Sequence, residues 1–268
     1  MKDALTINKT MKNLNKDNDL SCPLIKAGDK KIISVISNKG GVGKTSIACC
    51  LSLCLSKELN KKTLLLELDC SPGDFGTLFD ISEEQSLEMA IRFINDYKKY
   101  IKCINSNLDV LKGMPDPIIA ENIKSEEVGN FLEVILKDYD YIILDTQTVL
   151  NGILLDFLKA SGLLLVISDP TMESIARVSN YLELLNSRFK INRDKFKIII
   201  NKRKTFSFLQ TWEISRILNF PIDSFIYFDR RFNKSNILLN ESKILGTRLF
   251  KQVSKTIRSI DTEFSNVK

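Results

Sequence analysis

The sequence predicts an α/β fold, a doubly wound and mostly parallel sheet with helices on both faces. Strand-like and helix-like segments alternate along the chain, which is the order in which helices connect parallel strands. The strand-like segments, such as 163–168 and 196–201, are short apolar runs without polar alternation. Such runs are typical of strands that are buried on both faces. At 268 residues the chain has room for one domain of this kind.

The elements of this fold are assigned in order along the chain. Residues 1–28 are polar and rich in Lys and Asn, so we expect a flexible tail there and a single domain over residues 29–268. Strands are predicted at 32–37, 63–68, 108–112, 141–145, 163–168, 196–201 and 224–228. Helices are predicted at 45–58, 86–95, 124–138, 171–189, 208–219 and 247–261.

The first strand leads into a glycine-rich turn that opens the first helix. Residues 37–45 read Ser-Asn-Lys-Gly-Gly-Val-Gly-Lys-Thr. In this context glycines let backbone N–H groups converge on phosphate oxygens, and the helix N-terminus adds partial positive charge. Lys44 would contact the β- and γ-phosphates, and the Thr45 hydroxyl would coordinate Mg²⁺. The sequence therefore predicts a nucleoside triphosphate site formed by Gly40, Gly41, Val42, Gly43, Lys44, Thr45 and Ser46.

A second lysine makes this loop more specific. The general phosphate-loop pattern has a glycine where this chain has Asn38, and Lys39 precedes the glycine pair. The order Lys-Gly-Gly-Val-Gly-Lys-Thr resembles the deviant phosphate loop of the ParA/MinD family, ATPases that position DNA or protein machines inside cells. The resemblance covers about residues 30–262. It implies a homodimer that forms with ATP, in which Lys39 reaches the phosphates of the partner subunit.

The second predicted strand is followed by a carboxylate. Parallel sheets of this kind bind ligands at the carboxyl ends of their strands. In the ParA/MinD family this strand ends in Asp-x-Asp, whose second Asp helps to organise the attacking water and the Mg²⁺ shell. Asp69 matches that position, and Glu67 replaces the first Asp. The resemblance therefore assigns catalysis to Lys39, Lys44 and Asp69, and it makes 71–76 similar to the family's first switch segment.

The strand predicted at 141–145 resembles a Walker B strand, because its apolar residues end in Asp145. Such an Asp holds Mg²⁺ through water, so Thr45, Asp69 and Asp145 form the predicted metal site. The family usually continues with a second switch that contains Pro or Gly, whereas this chain has Thr146-Gln147-Thr148. Which group senses the γ-phosphate is therefore left open, with Gln147 as one candidate for orienting water.

Asn201 ends the strand predicted at 196–201. It resembles the position at which the family's Asn meets the adenine base, and an Asn side chain offers both a donor and an acceptor. GTPases prefer an Asn-Lys-x-Asp tetrad, but Lys202 is followed here by Arg203 and Lys204, without an Asp. The predicted ligands are therefore ATP and Mg²⁺.

Charge is unevenly distributed along the chain. Residues 190–268 contain 17 Lys and Arg against 7 Asp and Glu, within a net charge of +6 for the whole chain. A basic C-terminal third predicts an anionic partner, either nucleic acid or a lipid surface. The chain contains no histidine, so hydrolysis would depend on carboxylates, lysines and positioning.

Two further patterns concern the compartment and the membrane. No apolar run reaches the roughly 18 residues of a membrane span, and the N-terminus has no apolar signal core, so a cytoplasmic protein is expected. The apolar residues Leu249, Val253, Ile257 and Ile260 follow helical spacing, with basic residues on other faces. This pattern favours a final helix packed on the sheet over the membrane-binding helix of some family members.

The favoured function is a switch ATPase. ATP would close a dimer and slow, partner-stimulated hydrolysis would open it, so that the protein positions or segregates DNA or a pilus, flagellum or septum apparatus.

Metal-cluster carriers and reductases share this loop, but they need interface cysteines, and only Cys103 lies between residues 80 and 160, with no cysteine after it. Small-molecule synthetases also share it, but no second substrate-binding constellation is visible. The sequence does not identify the cargo.

Overall fold

The computed structural model describes residues 28–69, 73–205, 209–232 and 241–265, with side chains up to residue 259. Eight strands form one sheet in the spatial order β3-β4-β2-β5-β1-β6-β7-β8. Neighbours in this sheet are parallel except β3 and β4, which pair antiparallel. The strands are β1 (Asp29–Ile36), β2 (Thr63–Leu68), β3 (Lys102–Asn105), β4 (Leu108–Leu111), β5 (Tyr141–Thr146), β6 (Ser161–Ser168), β7 (Phe196–Arg203) and β8 (Ser224–Tyr227).

Helices connect these strands and cover both faces of the sheet, which confirms the predicted α/β architecture. The described α-helices are α1 (Lys44–Leu53), α2 (Phe75–Phe79), α3 (Leu87–Arg92), α4 (Pro117–Asn122), α5 (Ser125–Asp138), α6 (Gly152–Ala160), α7 (Met172–Ser187), α8 (Thr211–Leu218), α9 (Glu241–Leu245) and α10 (Arg248–Ser265). A π-helical turn, Cys54–Glu58, extends α1, and 3₁₀ turns occur at Ile94–Tyr100 and Arg193–Lys195.

The hydrophobic core consists of two layers, one on each face of the sheet. Because side chains alternate along a strand, β1 sends Ile32 and Ile36 into one layer and Ile33 and Val35 into the other. The first layer contains residues of α3 to α8, and the second contains residues of α1, α2, α9 and α10. This arrangement buries the central strand on both sides, as the uninterrupted apolar runs predict.

The C-terminal helix packs on the domain. Leu249, Val253 and Ile257 of α10 are buried in the same core layer as α1, so the apolar side of the helix is already covered by protein. The structure therefore agrees with a final helix packed on the sheet. The side chain of Ile260 lies outside the described part. Among the helices that the structure describes, none has both the length and the hydrophobicity to cross a bilayer.

Several elements differ from the sequence-based assignment. Strand β3 is not predicted because its residues, Lys-Cys-Ile-Asn, form no apolar run, as befits an edge strand that is only partly buried. Helix α6 is not predicted because it passes directly into β6, so that residues 153–168 are largely apolar throughout. The short helices α2, α4 and α9 are too brief for a helical period to be recognised. The predicted tail, except Gly28, lies outside the described residues.

Candidate active site

Five neighbouring strands direct their carboxyl ends to one edge of the sheet. In spatial order these are β2, β5, β1, β6 and β7, and β1 in the middle leads into the glycine-rich loop. Asp69 follows β2, Asp145 lies near the end of β5, Asp169 follows β6 and Asn201 lies near the end of β7. The topology therefore brings all predicted site residues to the position where parallel sheets bind their ligands.

The loop before α1 is suited to an anion. Gly41 and Gly43 have φ values of 72° and 100°, a left-handed conformation that glycine adopts readily. Gly43 is the N-cap of α1, it makes no side-chain cap, and the first turn of the helix has no acidic residue. The N–H groups of this turn therefore remain available to bind phosphate oxygens, supported by the positive end of the helix dipole.

Strand β7 holds this loop from the side. The Asn201 side-chain amide donates to the Val42 carbonyl at 2.8 Å, and the Lys202 ammonium donates to the Gly41 carbonyl at 2.5 Å. A Cβ atom on Gly43 would lie 2.5 Å from Asn201 Nδ2, so only glycine allows this approach. Asn201 is 4% exposed and supports the loop, while its contact with adenine stays a prediction.

The charged residues at the end of the loop and near the ends of β2 and β5 interact with one another. Burial lowers the pKa of Lys44, and the negative charges of Asp145 and Asp69 act in the opposite direction. Burial has the opposite effect on the acid Asp145 and raises its pKa to about 7. A hydrogen bond from Thr45 and the charge of Lys44 act to lower this pKa. Thus Lys44, Thr45, Asp69 and Asp145, which the sequence predicts to act together, form one electrostatic cluster.

This cluster fits a magnesium ion. Asp145 is 5% exposed, and its Oδ1 atom has no hydrogen-bond partner among the described residues. An orphaned buried carboxylate oxygen is costly unless a cation or water satisfies it. Thr45 and Asp69 add a hydroxyl and a second carboxylate, and oxygen is the ligand type that Mg²⁺ prefers. Residues of the predicted metal site are therefore compatible with Mg²⁺.

The Lys39 side chain contacts residues of its own chain. Its ammonium group lies 3.0 Å from Asp169 Oδ2 and 3.2 Å from Thr171 Oγ1. Burial of Asp169 raises its pKa, but hydrogen bonds from Thr171 and Lys39 outweigh that effect and hold the pKa below its usual value. Sequence reasoning missed both partners, although Asp169 directly follows a buried strand, the same signal that identifies Asp69.

Glu67 and Thr146 have structural partners. Glu67, 4% exposed, accepts hydrogen bonds from the backbone N–H groups of Phe75 and Gly113. Burial raises its pKa, and these N–H groups lower it in part. The Thr146 hydroxyl donates to the Val35 carbonyl at 2.8 Å and so ties β5 to β1. The Thr146 hydroxyl is thus engaged within the sheet, and Gln147, the following residue, is half-buried.

The cysteines do not form a cluster site in the described part of the chain. Cys49, Cys50 and Cys54 are buried on α1 and its extension, and burial raises the pKa of each thiol. Cys103 is exposed on the edge strand β3. Within residues 28–69, 73–205, 209–232 and 241–265, no group of three His, Cys, Asp or Glu side chains is arranged to hold a metal ion.

The sequence matches one protein-family model and is similar to several curated proteins. A family model described as an AAA domain matches residues 30–198. An uncharacterized ATP-binding protein of Methanocaldococcus jannaschii is 31% identical over 148 residues, which are 54% of this chain and 55% of that protein. The alignment thus spans about half the length of this relative. A virulence plasmid ParA family protein of Chlamydia psittaci is 25% identical, with 88% of this chain and 95% of that protein covered.

The fold also resembles a solved structure over nearly its whole length. A ParA family ATPase from Chlorobium tepidum superimposes with a TM-score of 0.75 at 22% sequence identity. The superposition covers 85% of this chain and 98% of that one. At this level of identity the likeness supports the fold, while the chemistry depends on the residues at the carboxyl edge of the sheet.

Proposed function

Because this chain belongs to the ParA/MinD family of P-loop ATPases, we propose that it is a nucleotide-dependent switch that positions or segregates a cargo. In this proposal ATP binds with Mg²⁺ and closes a homodimer, and slow hydrolysis opens it. The observation that carries the proposal is the loop at residues 37–45, with Lys39 and Lys44 on either side of its glycines. Thr45 of this loop forms a hydrogen bond with Asp145, whose Oδ1 atom has no partner among the described residues.

Each residue of the cluster has a chemical role in this proposal. The loop N–H groups and Lys44 bind the phosphates and stabilise negative charge that develops as water attacks the γ-phosphate. Asp69 orients the attacking water, and Lys39 of the second subunit adds positive charge. Thr45, Asp69 and Asp145 would hold Mg²⁺, which supplies electrostatic stabilisation of the phosphate oxygens. Hydrolysis by positioning and charge is compatible with a chain that lacks histidine.

The contact between Lys39 and Asp169 bears on dimer formation. A lysine that reaches across an interface must first leave its partners in its own subunit, so this ion pair opposes closure. Both side chains are partly exposed, 23% for Lys39 and 18% for Asp169, and an ion pair of this kind contributes at most about 1 kcal/mol. The contact therefore sets the ATP concentration at which the dimer closes without blocking closure.

We expect Asp169→Asn to dimerise at a lower ATP concentration than the wild type. The variant keeps the shape of the side chain but weakens its hold on Lys39, and half-maximal dimer formation should shift by about twofold to fivefold. Size-exclusion chromatography with light scattering, over a series of ATP concentrations, measures this shift. Glu173→Gln is the matched control because Glu173 is an exposed carboxylate near Asp169 that pairs with Arg177. An unchanged or higher ATP requirement would contradict the role assigned to the ion pair.

The dimer itself is tested by sizing the wild type with ATP, with ADP and without nucleotide. The proposal expects a dimer with ATP and a monomer in the other two conditions. A dimer under all three conditions, or a monomer throughout at high protein concentration, would contradict a nucleotide switch. Repeating the series with DNA separates the two cargo classes, because only a partition ATPase should shift to a DNA-bound form.

The basic surface of α10 favours DNA, bound without sequence preference, as the cargo. Lys251, Lys255 and Arg258 lie one or two turns apart on the exposed side of α10. Arg258 pairs with Glu58 at 2.9 Å, which makes the two lysines the cleaner targets for charge reversal. A protein partner that stimulates hydrolysis is the second reading, and the resemblance to positioning ATPases supports it without identifying the partner.

If α10 contacts DNA, the ATP-bound dimer should bind DNA of any sequence, and the double variant Lys251→Glu and Lys255→Glu should not. Each subunit of the dimer presents one basic surface, so two weak contacts act together. Binding should fall steeply as salt rises from about 50 mM, because lysine contacts to phosphates release counterions. Gel shifts with ATP measure both effects, with Lys61→Glu and Lys137→Glu as a control of equal charge change. Absence of a shift at low salt would leave protein-directed positioning as the function.

A further inference from the structure

Glu67 connects two separate segments to the strand that precedes Asp69. It is 4% exposed and is the second-to-last residue of β2. Its Oε1 atom accepts a hydrogen bond from the Phe75 N–H at 3.1 Å, and its Oε2 atom accepts one from the Gly113 N–H at 3.0 Å. The two oxygens of one carboxylate therefore bind two segments that are 38 residues apart in the chain.

Both segments lie close to Asp69 and the catalytic edge of the sheet. Phe75 begins α2, within the stretch that resembles a first switch segment, and Gly113 is the second residue after β4, which ends at Leu111. A Cβ atom on Gly73 would lie 2.4 Å from Glu67 Oε1, and one on Gly113 would lie 2.4 Å from the Asp69 carbonyl oxygen. The backbone is thus closely packed around the Glu67 carboxylate on one side and around Asp69 on the other.

Lys112, the residue between the end of β4 and Gly113, supports the same segment from a second direction. Lys112 is 7% exposed, and its ammonium donates to the Ser82 carbonyl at 3.1 Å, beyond the end of α2. A Cβ atom on Gly76 would be within 3.4 Å of the Lys112 side chain. Helix α2 is therefore fixed at its start by Glu67 and past its end by Lys112, while β2 and β4 are themselves adjacent strands.

We propose that Glu67 is a positioning residue for ATP hydrolysis, whose two hydrogen bonds hold Asp69 in place by fixing the backbone on both sides of it. The inference rests on the proposed ATPase function. The additional methylene of Glu relative to Asp is what allows one carboxylate to reach both N–H groups from a strand position two residues before Asp69. Because displacement of a catalytic group by about 1 Å can reduce a rate strongly, loss of either hydrogen bond should affect turnover.

Two variants test this role by different means. Glu67→Asp keeps the charge but shortens the side chain, and Glu67→Gln keeps the length but turns one acceptor into a donor that faces an N–H group. We expect both to lower kcat for ATP hydrolysis by at least about tenfold. The Kd for ATP should stay within about twofold of the wild type, because the phosphate-binding loop belongs to β1 and α1. Amide hydrogen exchange at Phe75 and Gly113 should become faster in both variants.

Asp156→Asn is the matched control. Asp156 is another shielded carboxylate that accepts a side-chain hydrogen bond, from Ser125, but it lies on α6 in the other core layer. Its substitution should leave kcat unchanged, and thermal unfolding of all three variants shows whether they fold. A kcat within twofold of the wild type in both Glu67 variants, despite faster exchange, would overturn the proposal. A parallel loss of kcat and ATP affinity would also overturn it, because a general structural role would then suffice.

The same measurements separate this inference from the proposed function. If the wild type hydrolyses no ATP, the ATPase proposal fails, and the positioning role fails with it. Faster exchange at Phe75 and Gly113 would then still establish the two hydrogen bonds. If the wild type hydrolyses ATP and the Glu67 variants retain its kcat, only the positioning role fails.

Discussion

Lys44→Ala should reduce ATP affinity by roughly a hundredfold or more, which corresponds to about 2.7 kcal/mol. Lys44 is the lysine at the end of the glycine-rich loop, in the first turn of α1, and without it the phosphate charge would lose its principal partner in a partly desolvated site. Isothermal titration calorimetry with ATP and Mg²⁺ measures the change. This variant tests the assignment of the loop directly, because nucleotide binding precedes dimerisation and cargo recognition in the proposed cycle.

Folding must be checked in the same variant. Lys44 also lies near the negative charges of Asp145 and Asp69, so its removal leaves a buried carboxylate with less compensation. Lys44→Met, which preserves the length of the side chain, serves if the alanine variant unfolds. Lys137→Ala, at an exposed lysine of α5, should bind ATP normally. ATP binding by a folded Lys44 variant within about threefold of the wild type would show that the loop assignment is wrong.

Asp69→Ala should bind ATP but hydrolyse it roughly a hundredfold more slowly. Removal of a group that orients the attacking water affects the transition state more than the bound ground state. The variant should therefore accumulate as the ATP-bound dimer, since the step that opens the dimer becomes slow. Phosphate release under single-turnover conditions, together with light scattering after addition of ATP, measures both consequences.

A nearby carboxylate provides the control for this variant. Asp74 is exposed and makes no side-chain cap on α2, so Asp74→Ala should hydrolyse ATP at the wild-type rate. Unchanged turnover in Asp69→Ala would assign Asp69 a structural role. A variant that remains monomeric with saturating ATP would instead mean that Asp69 is needed for closure of the dimer.

Much of the fold is predictable from this sequence because burial on both faces leaves a strong signal. The central strands β1, β2, β5, β6 and β7 each contain a buried apolar run, and turn residues or charges separate most of them from the helices. Strand β3 escapes prediction because an edge strand does not need apolar residues on both faces. Helix α6 escapes because it enters β6 at Ser161 without an intervening loop, so no turn residue divides the apolar stretch.

The candidate site is predictable where function requires a particular residue type in a fixed local context. The loop and Asp69 directly follow strands, Asp145 lies near the end of one, and the structure brings these strand ends together. The partners of these residues are not predictable, because they are distant in the chain. Lys39 meets Asp169 after 130 residues, and Glu67 meets Gly113 after 46. Such pairs are determined by strand order, which a single sequence does not reveal.

The two contacts from β7 to the loop have a consequence for the thermodynamics of nucleotide binding. Asn201 and Lys202 hold the carbonyls of Val42 and Gly41, and Lys202 does so with a φ of 57°, which is unfavourable for a residue other than glycine. These contacts order the loop as the domain folds. The conformational entropy that the loop loses is therefore included in the free energy of folding. Association with ATP then requires little further ordering, so the measured affinity reports the contacts themselves. We therefore expect nucleotide binding to require little rearrangement of this loop, while Lys202 keeps its left-handed conformation far along the chain.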